Sequence, residues 1–138
     1  VPFYGQGMNA GFEDCFVFDQ LLSEYRSINE DMLSAYETLR KPDANAIADL
    51  ALYNFIEMRD KVADPNFILQ KKIEKKLNQL YPEKWVPLYS MVTFTNYRYS
   101  EALEIGLKQQ GIMNEVLAQE GIEENWESLN FENIVNQL

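Results

Sequence analysis

The sequence predicts a mainly α-helical fold, and three observations carry that expectation. Apolar residues return at helical spacing, as in Phe12, Cys15, Phe16, Phe18, Leu21 and Leu22, or Ala46, Ile47, Leu50, Ala51, Phe55 and Met58. Glycine and proline are sparse, six and five in the chain, and fall at would-be helix boundaries. A hydrophobic fraction of 46% over 138 residues is enough to bury the core of one ordinary domain.

The first fifteen residues set up the rest. Gly5, Gly7 and Gly11 lead into a first helix expected over about Gly11 to Arg26. A glycine-rich stretch that feeds a helix aims unpaired backbone N–H groups, and the positive end of the dipole, at one point. That arrangement suits an anion or an electron-rich heterocycle. It equally serves to cap or turn the chain, and spacing alone leaves both readings open. Cys15 falls on the apolar side of this helix and reads as a buried structural thiol.

A short second helix is expected over about Asn29 to Leu39, capped by Ser27 or Asn29. Lys41-Pro42-Asp43 should break the chain, because proline disfavours helix in the residue before it. Asp43 then caps a third helix over about Ala44 to Val62. Asn54 lies on its apolar face, so its amide is either tied to neighbouring backbone or turned to a ligand. Asp64-Pro65 opens a fourth helix, to about Tyr81, with Phe67, Ile68, Ile73, Leu77 and Leu80 inward. Its lysines Lys71, Lys72, Lys75 and Lys76 read as a solvated face.

Trp85-Val86-Pro87 forms a rigid connector, and Met91-Val92-Thr93-Phe94 reads as a helical turn. A long helix over about Tyr97 to Gln119 should bend or split at Gly106 and Gly111, each costing roughly 1 kcal/mol against alanine. A last amphipathic helix is expected over about Glu123 to Asn136.

Charge and composition exclude several functions. A net charge of −10 argues against nucleic-acid partners, which need clustered Lys and Arg. Beyond Lys108 the chain has no Lys or Arg, and its glutamates read as a solvated face. The absence of histidine removes Ser-His-Asp and Cys-His catalysis and the usual zinc sites. The single cysteine excludes an internal disulfide and fits a reducing compartment. No run approaches the ~20 apolar residues of a membrane span. The chain opens on Val1-Pro2-Phe3 without a methionine and reads as a piece of something longer.

The stretch Val1-Pro2-Phe3-Tyr4-Gly5-Gln6-Gly7-Met8-Asn9-Ala10-Gly11-Phe12-Glu13-Asp14 resembles the second FAD-binding motif of the single-component flavoprotein aromatic hydroxylases. The likeness continues through Pro42-Asp43, Ala46 to Leu50, Tyr53 to Arg59, Val86 to Phe94, and Arg98-Tyr99. Within the family it is most similar to the branch that acts on L-kynurenine.

The resemblance implies an enzyme in which NADPH reduces FAD, and the flavin with oxygen hydroxylates the substrate's aromatic ring. The cofactor then carries the chemistry and the protein supplies orientation and charge, so a site without histidine is reasonable. Gly5, Gln6, Gly7, Met8 and Asn9 are implied to meet the flavin ring, mostly through backbone N–H groups. Pro2 and Phe3 would border the substrate. Asn54 and Tyr89 would hold its amino-acid carboxylate, and Met58 would pack on the same pocket. Glu57 is expected to pair with Lys71 or Arg59 rather than touch substrate.

On this reading, residues 1–28 are a flavin-contacting loop and first helix, and residues 29–138 a helical domain completing the substrate pocket. The family's dinucleotide-binding fingerprint is not in this sequence, so the expected partner is the N-terminal FAD-binding part of the same protein. Alone, the segment should be inactive and prone to self-association through apolar surface. Some family members end in a membrane anchor, whereas residues 109–138 are acidic and amphipathic, so the expectation is a cytoplasmic enzyme. Two other readings stay open: a hydroxylase for another aromatic acid, and a non-catalytic helical interaction module.

Overall fold

A computed structural model describes residues 4–138, and every described element is helical. Gly5 takes a positive φ of 67°, a turn that glycine makes without steric cost, and helix α1 (Gly7–Tyr25) begins after Gln6, whose side chain makes no capping bond. The helix therefore starts four residues before the expected Gly11, and Gly7, Met8 and Asn9 form its first turn. It ends where Arg26, in the left-handed region at φ 59°, donates its N–H to the Leu22 carbonyl.

Helix α2 (Glu30–Ile56) opens with the Asn29 side chain accepting from the Met32 N–H at 2.9 Å. It then runs straight through Pro42, so the expected break at residues 41–43 does not occur and Asp43 is no cap. Tertiary contacts on both sides of the proline override the local preference. Arg40 holds α1, Asp43 binds Ser100 and Arg98, and the Arg98 guanidinium donates to the Leu39 carbonyl at 2.8 Å. A π-helical turn (Glu57–Lys61) follows.

Helix α3 (Pro65–Leu80) starts as expected, with Pro65 in the first turn and the Asp64 side chain accepting from the Asn66 N–H. Its inner face is rotated from the expected one. Leu69, Ile73 and Leu77 are buried, Phe67 is half-buried, and Ile68 and Leu80 are exposed. The connector to helix α4 (Leu88–Phe94) is pinned at two carbonyls. Asn78 donates to that of Trp85 at 2.8 Å, and Gln109 to that of Val86 at 2.9 Å. The helical reading of residues 91–94 holds.

Helix α5 (Tyr99–Leu117) neither splits at Gly106 nor at Gly111. Gly106 leaves room for Leu88, since a Cβ there would sit 2.7 Å from a Leu88 methyl carbon and that side chain would have to shift. The C-terminal segment is three short pieces rather than one helix: α6 (Ile122–Asn125), a 3-10 turn (Trp126–Ser128) and α7 (Phe131–Val135). Asn130 caps the last by accepting from the Asn133 N–H.

Two apolar clusters result, and α5 runs through both. Leu69, Ile73, Leu77, Trp85, Met113 and Val116 lie in one, with Ile122 and the α7 residues against them. Ala46, Leu50, Met91, Val92, Tyr99 and Ala102 form the other, with Tyr4 and Ala10 packed on it. Helix α1 is oriented by charge rather than by its apolar stripe. Glu13 and Asp14 turn to Arg40 on α2, which leaves Phe12 and Phe16 well over half exposed. Cys15 is exposed too, against the expectation of a buried thiol. Among the described residues no helix is long and apolar enough to cross a membrane.

Candidate functional site

Two concavities meet at Tyr4. The first is a cleft of about 330 Å³ where the end of α2, the π-helical turn and helices α3, α4 and α5 converge. Asn54, Met58 and Tyr89, three of the residues singled out from the sequence, line it together. Pro2 and Phe3 lie outside the described residues. Leu88, Pro87 and Phe67 add apolar wall, and Glu57, Lys71 and Gln110 add polar groups.

The π-helical turn helps shape this wall. At the end of α2 the Glu57 N–H is shared between the carbonyls of Tyr53 and Asn54. A π-turn inserts a residue into the helical repeat and so re-aims the side chains around it, a feature that recurs at functional sites. Here it presents Asn54, Glu57 and Met58 to one cleft. The expected partners of Glu57 pair elsewhere: Arg59 with Asp60, through two bonds of 2.6 Å, and Lys71 with Glu74 at 3.0 Å.

Tyr4 stacks on Tyr89 with ring centres 5.5 Å apart and planes 25° from parallel, and Phe94 packs edge-on against Tyr89 at 6.1 Å. Burial, and then the charge of Glu57, push the Tyr4 hydroxyl up to about 12, so it stays a neutral donor at neutral pH.

The second concavity is a groove of about 450 Å³ lined by Tyr4, Gly5, Gln6 and Gly7 and, from α2, Ile47, Ala48 and Ala51. Of the residues expected to meet a flavin, Gly5, Gln6 and Gly7 line it. Met8 and Asn9 are exposed on the adjoining first turn of α1. The side chains of Gln6 and Asn9 turn to each other, Nδ2 of Asn9 donating to Oε1 of Gln6 at 2.7 Å. The Tyr99 hydroxyl closes on the same oxygen at 3.5 Å. What this edge offers a ligand is therefore backbone. A Cβ at Gly5 or Gly7 would have no neighbour within 4 Å, and no described side chain caps the N-terminus of α1.

The groove is held by an ion network that spacing did not reveal. Asp43, almost fully buried, accepts from the Ser100 hydroxyl at 2.6 Å, the Ser100 N–H at 3.1 Å and Arg98 Nε at 3.0 Å. Burial opposes the Asp43 charge, but these donors outweigh it and keep the carboxyl below its ordinary range. Arg40 reaches Asp43 at 3.4 Å and grips α1 through Asp14 at 2.7 Å, Glu13 at 3.2 Å and the Ala10 carbonyl at 3.4 Å. The only sequence signal was an opposite-charge pair at i, i+3 on a buried face. Among the described residues no cluster of three or more Cys, Asp or Glu could hold a metal ion.

No protein-family model matches the chain. Several kynurenine 3-monooxygenases are similar to it. The one from Flavobacterium psychrophilum is 54% identical over 138 residues, all of this chain and 31% of the relative. That of Christiangramia forsetii is 51% identical over the same span and again 31% of the relative. That of the pig, Sus scrofa, is 48% identical over 117 residues, 85% of this chain and 25% of the relative. The chain is thus a homologue of the kynurenine 3-monooxygenases and spans about a third of their length, corresponding to their C-terminal portion.

Proposed function

We propose that this homologue of part of the kynurenine 3-monooxygenases completes the substrate cleft of a flavin-dependent aromatic hydroxylase whose substrate is L-kynurenine. One observation carries the reading. The cleft that gathers Asn54, Met58 and Tyr89 adjoins, across Tyr4, the groove lined by Gly5, Gln6 and Gly7.

The residues present fit one edge of FAD. The groove beside Gly5 and Gly7 is open where a side chain would otherwise intrude, and the N-terminus of α1 beside it carries no side-chain cap among the described residues. Helix N-termini of this kind stabilise negative charge. When bound, FAD supplies the redox chemistry, drawing electrons from NADPH and activating oxygen. The chain's own residues bind and orient. Asn54 and the Tyr89 hydroxyl are suited to a carboxylate, with Tyr89 held between Tyr4 and Phe94. Met58, Phe67 and Leu88 present apolar surface to an aromatic ring and displace water from it. Tyr4, common to both concavities, separates substrate from cofactor.

The test is anaerobic titration of the intact flavoprotein with NADPH, with and without L-kynurenine. Faster flavin reduction with L-kynurenine, followed on aeration by hydroxylated product, is the expected result. Reduction that ignores L-kynurenine would keep the hydroxylase class and discard the substrate. An intact protein that binds no flavin would leave the helical interaction module as the better reading.

A further inference from the structure

We propose that the Glu57 carboxylate is the subsite that receives the ammonium group of an α-amino-acid substrate. The inference rests on the substrate reading above and adds to it how the cleft distinguishes an amino acid from a plain carboxylic acid.

An α-amino acid brings two opposite charges on one carbon, and a cleft that selects it needs a complement to each. Asn54 and Tyr89 are neutral donors suited to the carboxylate but offer little to a cation. Glu57 lies one helical turn beyond Asn54 and lines the same cleft. Of the three cations near it, Arg59 and Lys71 are paired with other carboxylates, and Lys61, which lines the neighbouring pocket together with Glu57, makes no ion pair with it within 4 Å. Arg59 forms its paired bonds with Asp60, and Lys71 is bonded to Glu74 while lying 5.0 Å over the Phe67 ring. A negative group thus lies in the cleft wall, and a substrate ammonium would complete its pairing.

The backbone supports the same placement. Glu57 opens the π-helical turn, where the chain departs from the α-helical repeat that would otherwise carry α2 onward. Tyr4 is close enough to register the Glu57 charge, and its ring stacks on Tyr89. The carboxylate and the two tyrosines therefore form one lining, with the negative group at one part and neutral donors at another. A charge pair made only by the ammonium also gives selectivity, since a ligand without it gains nothing from Glu57.

The experiment is calorimetric binding of L-kynurenine and of its des-amino analogue, 4-(2-aminophenyl)-4-oxobutanoate, to the intact flavoprotein and to its Glu57→Gln variant. The expected result is a loss of about tenfold or more for L-kynurenine in the variant, with less than about twofold for the analogue. Equal losses for the two ligands, or no loss for either, would overturn the assignment. Should the variant fail to fold, the wild-type protein decides alone: it should bind L-kynurenine at least about tenfold more tightly than the analogue, and equal affinities would overturn the subsite. Binding of the analogue without discrimination sinks only the role of Glu57. Binding of neither ligand sinks the substrate reading itself.

Discussion

Replacing Asp43 by Asn or Ala should be the most damaging single polar change in this chain. The carboxylate is almost fully buried and takes bonds from the Ser100 hydroxyl, the Ser100 N–H, Arg98 and Arg40. Removing one partner of a buried charged network costs about 3–5 kcal/mol, because the others are left uncompensated. Two features place Asp43 at the lower end. Arg40 keeps Asp14 and Glu13, and the Arg98 side chain is 48% exposed and can rehydrate. About 3 kcal/mol is therefore expected for Asp43→Ala, and less for Asp43→Asn, whose amide oxygen still accepts from Ser100. At a few degrees of midpoint temperature per kcal/mol, the alanine variant should melt roughly 10 °C lower.

The assay is urea denaturation followed by helical circular dichroism, with an unchanged slope as the check on two-state behaviour. Acid provides an independent arm. The folded-state Asp43 lies below its ordinary value of 3.8, so its stabilisation is present above that pH and is lost as pH falls through the folded value. Wild-type stability should fall on acidification below about pH 4, and that part of the slope should be flattened in Asp43→Asn. A loss under about 1 kcal/mol for Asp43→Ala would refute the reasoning, because it would make this an ordinary surface ion pair.

Three further outcomes follow from the packing. Pro42→Ala should stabilise the chain by about 1 kcal/mol in the same denaturation assay, because an interior proline lacks the helical N–H bond and its ring crowds the preceding turn. Gly106→Ala should destabilise by about 1 kcal/mol despite alanine's better helix propensity, since the new Cβ meets Leu88 at 2.7 Å. Adding Leu88→Ala should then cost less in the Gly106→Ala background than in wild type, a coupling that a double-mutant cycle measures. Cys15, being exposed, should react with a thiol reagent in the native state as fast as in urea; a strongly protected thiol would show that α1 is rotated the other way.

The sequence disclosed the helical class, the Asp64-Pro65 start of α3 and the helical turn at residues 91–94, because caps and short-range preferences decide those locally. It misplaced whatever long-range electrostatics decide. Pro42 should have ended a helix by the local rule, but Arg40 and Asp43 on either side of it are bound to α1 and α5. The same Arg40 contacts explain the outward turn of Phe12, Cys15 and Phe16, whose spacing alone pointed inward. Spacing also could not foresee that Gly106 is a seat for Leu88 rather than a weak point in α5.

The candidate site divides along the same line. Spacing left Asn54 ambiguous between a tied amide and a ligand group, and only the resemblance joined it to Tyr89, thirty-five positions on. The fold supplies the physical link: α2 and α4 both pack on α5, Gly106 lets Leu88 close in, and the end of α2 is brought to face the start of α4. Glu57 was misjudged for a related reason. Arg59 is near it in sequence and Lys71 lines the same cleft, yet Arg59 pairs with the adjacent Asp60 and Lys71 with Glu74, one turn on along α3. A carboxylate that neither Arg59 nor Lys71 pairs lines the cleft, which is why the decisive comparison is between ligands with and without an ammonium group.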